Sequence, residues 1–229
     1  MKRALLVLPL LLLASCGGSD KADTVDNSPP ATATKAPESA TPVVTPTGAP
    51  IDPGVLSKAV LTLQELPAGY TVSTPADNSE DDDFCGVSAA RKEPKNRADA
   101  AFAQSSAGPF IIERIDLFDR KSDATSVLAG IRDGFKKCGP TWADTGTPPT
   151  TWNVAALSFP KLGDETFAVR LTTTNLPIFG TAEVDYVYIR RGPALTGLAW
   201  IAIGPSALFS PLEATAKKAD ARITKAGIR

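Results

Sequence analysis

The sequence predicts an α+β domain: a mainly antiparallel sheet with two principal helices packed on one face, and one disulfide. Three observations point to it. Strand-like segments follow one another at about 152–159, 165–173, 182–190 and 194–203. Two amphipathic helical stretches stand on either side of that run. The chain of 229 residues is 43% apolar and 21% charged, and the 179 residues from Ile51 onward are enough for one substantial core.

Each segment has a local cause. Lys2 and Arg3 precede an apolar run from Ala4 to Ala14, 11 residues long, where a membrane-spanning helix needs about 20. Residues 1–15 therefore read as a secretory signal peptide. The run ends in Leu13-Ala14-Ser15-Cys16, which resembles a bacterial lipobox. That resemblance implies a Cys16 thiol joined to diacylglycerol and a mature chain beginning at Cys16. The plainer alternative is an ordinary signal peptide with an incidental cysteine. Two or more acyl chains give stable anchoring, so the expected location is the extracytoplasmic face of the cell membrane. Losing Lys2 and Arg3 takes the net charge from −1 to −3, which gives little reason to lie flat on anionic lipid.

Residues 16–53 form the expected tether. From residue 17 they hold seven prolines, six threonines and no aromatic side chain, too little apolar area to offset the entropy of ordering. As a polyproline-like spacer the stretch from Cys16 to Pro50 would reach about 105 Å, and as a coil roughly 30–35 Å. The Thr/Pro mixture fits a plain spacer or an O-glycosylated stalk. The domain is expected over 54–229.

Within it, Thr62-Leu63-Gln64-Glu65 is a capping-box pattern cut short by Pro67. Residues 75–100 are polar, with Glu80-Asp81-Asp82-Asp83 just before Phe84-Cys85. Phe110 to Phe118 has strand character. Ser122 is the expected cap of a helix with the apolar stripe Ala124, Val127, Leu128, Ile131 and Phe135. Lys136 and Lys137 suit its C-terminal end, and Gly139-Pro140 stops it. Arg191-Gly192-Pro193 predicts a hairpin turn between the last two strands. Ser210, Pro211 and Glu213 predict the start of the last helix, whose stripe is Leu212, Ala216, Ala219, Ile223 and Ala226. Cys85 and Cys138 are an even pair in an exported chain, hence a disulfide, with two free thiols as the alternative.

Short motifs along this order resemble the extracellular sensor-like domain of some actinobacterial transmembrane Ser/Thr kinases and their free-standing lipoprotein relatives. They are Leu66-Pro67-Ala68-Gly69-Tyr70, the helix ending at Cys138, Leu162-Gly163-Asp164-Glu165, and Val187-Tyr188-Ile189-Arg190-Arg191-Gly192. The resemblance spans roughly residues 56–226. It implies an α+β domain with a cleft for an envelope ligand. It also implies two disulfides, where this chain offers one pair besides Cys16. With no kinase domain or second hydrophobic span in the sequence, signalling would need another protein.

Composition narrows the chemistry. The absence of histidine removes Ser-His-Asp and Cys-His catalysis and His-ligated zinc. The charge balance argues against nucleic acid, and no phosphate-binding glycine loop occurs. Ser158-Phe159-Pro160-Lys161 has S-x-x-K spacing, but at a strand end and with a proline inside. If Asp164 and Glu165 continue into a strand after Gly163, they point to opposite faces and cannot flank one bond; they read as a turn acid followed by a solvent-facing strand residue. The run Asp77 to Asp83 lacks EF-hand order and reads as a solvated acidic loop. Gly130 and Gly134 read as a small-residue helix face for close packing. No cofactor, metal or catalytic residue is expected.

One pattern favours binding. Leu195, Ala199, Ile201 and Ile203 alternate with Leu198, Trp200 and Ala202, so both faces of the last strand are apolar. Gly197 and Ala199 leave space beside one face for a ligand cleft; a buried central strand is the alternative. The expected function is a non-enzymatic, sensor-like module for an apolar or amphipathic envelope component. The alternative is an adaptor docking another envelope protein, for which Tyr186, Tyr188 and Arg190 would supply a patch. A hydrolase using carboxylates alone is a third class.

Overall fold

The computed structural model describes residues 53–74, 92–144, 149–204 and 210–229, all within the compact unit Thr47–Arg229. Its described elements are α1 (Pro53–Ala59), a 3-10 turn (Leu63–Glu65), β1 (Thr71–Ser73), β2 (Asn96–Ala103), β3 (Phe110–Leu117), α2 (Lys121–Cys138), β4 (Thr141–Asp144), β5 (Thr150–Ala156), β6 (Glu165–Leu176), β7 (Gly180–Arg191), β8 (Ala194–Ile203) and α3 (Leu212–Lys225). The strands form one antiparallel sheet in the order β1-β2-β3-β8-β7-β6-β5-β4. The expected α+β, mainly antiparallel architecture is therefore present.

The helices do not share a face, which corrects the expectation. Cross-strand partners point to the same side of a sheet. Ile111, Trp200, Leu198 and Val187 pack with Leu212, Ala216 and Ala219 of α3. Val169, Val184, Tyr188 and Leu195, on the opposite side, pack with Val127, Leu128, Ile131 and Phe135 of α2. The physical reason lies in β7 and β8. A central strand apolar on both faces needs a cover on each, and the chain supplies one helix per side. A third cluster, with Leu56 and Ala59 of α1, Ile115, Ala194, Ile223 and Ile228, closes the α3 side at the end where β7 turns into β8.

Local starts and stops follow their chemistry with adjustments. All five expected apolar positions of α2 are buried. Its N-cap is Arg120 rather than Ser122, which is the second helical residue and whose carbonyl accepts from the Ser126 hydroxyl at 2.9 Å. Gly139, with φ of 73°, ends α2. Before α3, Ser210 accepts the Leu212 N–H at 3.3 Å, but Glu213 pairs with Lys217 at 2.6 Å instead of completing a capping box. Thr215 joins the buried stripe, while Ala226 is the C-cap. Glu65 accepts the Thr62 N–H at 2.8 Å and its hydroxyl at 2.9 Å, so the box at the 3-10 turn forms.

Candidate functional site

The α2 side of the sheet carries an aromatic seam. Phe135 of α2 lies 5.9 Å from Phe167 and 6.4 Å from Tyr186, between ring centroids. Phe167 stacks at 6.3 Å on Tyr188, which stacks at 6.2 Å on Tyr186. The Arg132 guanidinium sits 5.7 Å from the Phe167 centroid, within cation–π range. Small residues on β8 admit these rings: Tyr186 faces Ala199 across the strands and Tyr188 faces Gly197. A Cβ at Gly197 would touch the Tyr188 ring at 3.5 Å. The space expected beside Gly197 and Ala199 is thus taken up in part by tyrosines.

The rest of that face is less covered. Phe110 pairs with Ile201, Ile112 with Ala199 and Ile203 with Ala182. Phe110, Ile112, Ile201 and Ile203 are all half-buried, whereas Leu195, Leu198, Trp200 and Ala202 are buried in protein. The result is a half-open apolar strip, with the Arg114–Asp99 pair (2.7 Å) on the same face. It offers apolar contact area bordered by one charged edge.

At the end of the sheet where β7 turns into β8, an ion cluster binds both layers together. Asp164 accepts the Gly192 N–H at 3.0 Å and Arg190 Nη1 at 2.9 Å, with Lys121 Nζ of α2 at 3.5 Å. Glu165 holds Arg132 of α2 at 2.7 Å and lies 3.5 Å from Arg190 Nε. Arg191 grips Asp220 of α3 with two hydrogen bonds, 3.0 and 2.8 Å. The Gly192 N–H chiefly, with Arg190 and Lys121, holds the Asp164 carboxyl below its usual range; the Arg132 hydrogen bond chiefly does the same for Glu165. As expected, Asp164 lies in the turn and Glu165 opens β6, but Glu165 does not face solvent: both carboxylates converge on Arg190. Ionised and neutralised by arginine, they are a clamp and poor proton donors.

Two buried acids lie on the α3 side. Asp185 is 1% exposed and accepts Arg170 Nε and Nη2 at 2.6 and 2.7 Å, with Glu183 3.1 Å from the same guanidinium. Glu113 is fully buried; its Oε2 accepts the Leu61 N–H at 2.5 Å while Oε1 has no partner. Burial raises the Glu113 carboxyl to about 7. The indole Nε1 of Trp200 makes no well-formed hydrogen bond, although the Tyr70 hydroxyl interacts with it.

The residues singled out from sequence fare as follows. Cys16, Cys85 and the run Asp77 to Asp83 lie outside the described residues. Cys138 closes α2. Ser158 and Lys161 sit on irregular chain between β5 and β6, not one turn apart on a helix. Tyr188 and Arg190 are buried and Tyr186 half-buried, so no exposed docking patch forms there. Among the described residues no group of His, Cys, Asp and Glu is arranged to hold a metal, and no helix is long and apolar enough to cross a membrane. Sequence reasoning missed the clamp, although its signal was visible: charged pairs beside Gly163 and Gly192, inside the very motifs that carry the family resemblance.

No protein-family model matches the chain, and no curated protein matches it. Among solved structures, the STAR-related lipid transfer protein (fragment 25–204) from Xanthomonas axonopodis aligns over 69% of this chain and 96% of that one. At 10% identity and a TM-score of 0.28 nothing follows from it. The extracellular domain of PknH from Mycobacterium tuberculosis aligns over 78% of this chain and 98% of that domain, with 13% identity and a TM-score of 0.54. This chain is similar in fold to the extracellular domain of a kinase.

Proposed function

We propose that this protein is a lipoprotein anchored through Cys16 to the extracytoplasmic face of the cell membrane. Its domain, over 54–229, is a non-enzymatic, sensor-like module that binds an apolar or amphipathic envelope component. The observation that carries the binding role is the half-open strip of Phe110, Ile112, Ile201 and Ile203 beside the tyrosine seam. A half-open apolar face with one charged rim matches such a ligand better than a polar one. The fold likeness to a kinase extracellular domain supports the sensor-like class and an extracytoplasmic setting. The bridge from Cys85 to Cys138 belongs to the same reading, with Cys138 closing α2. In the chain-entropy model, closing that loop adds about 4 kcal/mol. The adaptor reading has less support, because Tyr188 and Arg190 are buried.

The test is the mass of the chain purified from its native envelope, measured under native and then denaturing conditions. Added mass lost on denaturation supports the binding module and identifies the ligand. The bare mass of the chain in both conditions argues for the adaptor.

A further inference from the structure

The hairpin joining β6 to β7 ends in an apolar point. Ile178 is 97% exposed and Phe179 52% exposed, the two largest exposures of apolar side chains there. From Leu171 to Ala182 the sequence LTTTNLPIFGTA contains no charged residue. Ile178 holds φ of 71°, a left-handed conformation that β-branched residues rarely adopt. A strained backbone that turns an isoleucine fully into water has no packing explanation; strain of this kind gathers where a segment acts on something else.

We infer that the Ile178–Phe179 point inserts into the apolar layer of a lipid bilayer. Three features select that occupant over a protein. Two side chains cannot supply the roughly 800 Å² per partner of a stable protein interface. The charge-free hairpin costs no ion desolvation on entering lipid. The third feature is length, and it rests on the proposed Cys16 anchor. Two apolar side chains alone give a dissociation constant of about millimolar, useful only at high effective concentration. The described chain begins at α1, which packs beside Ala194 at the opposite end of β7 from the point. Twelve strand residues span roughly 40 Å at about 3.3 Å each. With the coil dimension of roughly 30–35 Å that its composition predicts, the stretch from Cys16 to Pro50 would match that span, the condition for the greatest effective concentration. The domain can therefore lie over and touch the membrane that holds it, with the strip and its ligand close to the bilayer.

The experiment uses the chain from Cys16 onward, joined through the Cys16 thiol to a maleimide headgroup lipid in phosphatidylethanolamine–phosphatidylglycerol vesicles. An F179W protein places an indole at the point, and dibrominated acyl chains quench it on insertion. The expected result is blue-shifted, quenched emission relative to the parent, and a roughly tenfold weaker partition when Ile178→Asp is added. Ile178 is exposed, so that variant keeps the parent's circular dichroism. Unchanged emission overturns the inference. A blue shift without quenching means the point has met another copy of the chain, and overturns it too. The imposed anchor separates this result from the lipidation of Cys16 in the native envelope, which is read from the mass of the purified protein.

Discussion

Replacing Glu113 by glutamine tests whether a buried acid sets the stability of the domain near neutral pH. Glu113 projects from β3 into the α3 side, and its Oε2 holds the Leu61 N–H between α1 and the 3-10 turn. Burial outweighs that hydrogen bond and the attraction of Arg222, while Glu65 adds repulsion, so the carboxyl rises from 4.5 to about 7. In the unfolded chain it titrates near 4.5. Between those values the folded protein binds one more proton than the unfolded chain, so stability falls as pH rises. Raising the carboxyl from 4.5 to about 7 corresponds to about 3 kcal/mol lost between about pH 4.5 and about pH 7. Glutamine cannot ionise, and its oxygen can still accept from Leu61, but its amide is left buried without an acceptor at a cost of about 1–3 kcal/mol. The variant should be the less stable protein at about pH 5 and equal or more stable at about pH 8. Urea unfolding at both values, with unchanged m, reads the difference. Parallel pH dependence in the two proteins would refute the reasoning.

Three further outcomes follow from the geometry. Arg190→Met removes the common partner of Asp164 and Glu165; because both acids are partly exposed, the expected loss is about 2 kcal/mol, read as a lower urea midpoint, and an unchanged midpoint would deny the clamp. Gly163→Ala puts a methyl 2.5 Å from the Arg190 carbonyl at φ of 57° and should cost about 1–3 kcal/mol, whereas the same change at Gly180, where a Cβ meets nothing, should cost only the backbone term. Phe135→Ala opens the aromatic seam and should destabilise by about 3–5 kcal/mol in the same assay, with altered near-ultraviolet circular dichroism from Tyr186 and Tyr188.

The long strands and both principal helices are legible in the sequence because periodicity reports burial directly: the stripe Ala124 to Phe135 and the alternation along β8 stand in the structure as read. The distribution of helices over two faces was written there too, in the doubly apolar β8, but periodicity says that a face is covered and not by which element. β2 escaped because Asn96 to Ala103 sits near the edge and mixes Arg97 and Asp99 with alanines, so only its last three residues are buried. β4 is four residues long, too short for a period to show. The half-open strip was foreshadowed by Gly197 and Ala199. The tyrosines that occupy part of their space come from β7, and cross-strand register is invisible without the fold. Glu113 is the hardest case: an acid between Ile112 and Arg114 looks like a solvated strand residue until α1 and α3 close over it.

The ion clamp makes the sheet a cantilever. Lys121, Arg132, Asp220 and the turn at Gly192 fix both helices at one end, while the β6–β7 hairpin extends from the other. Amide hydrogens beside Arg190 should exchange slowest and those near Ile178 fastest. Among divergent chains of this fold, residues 174–179 should follow the surface each chain meets, while Asp164 and Arg190 stay as the fixed end.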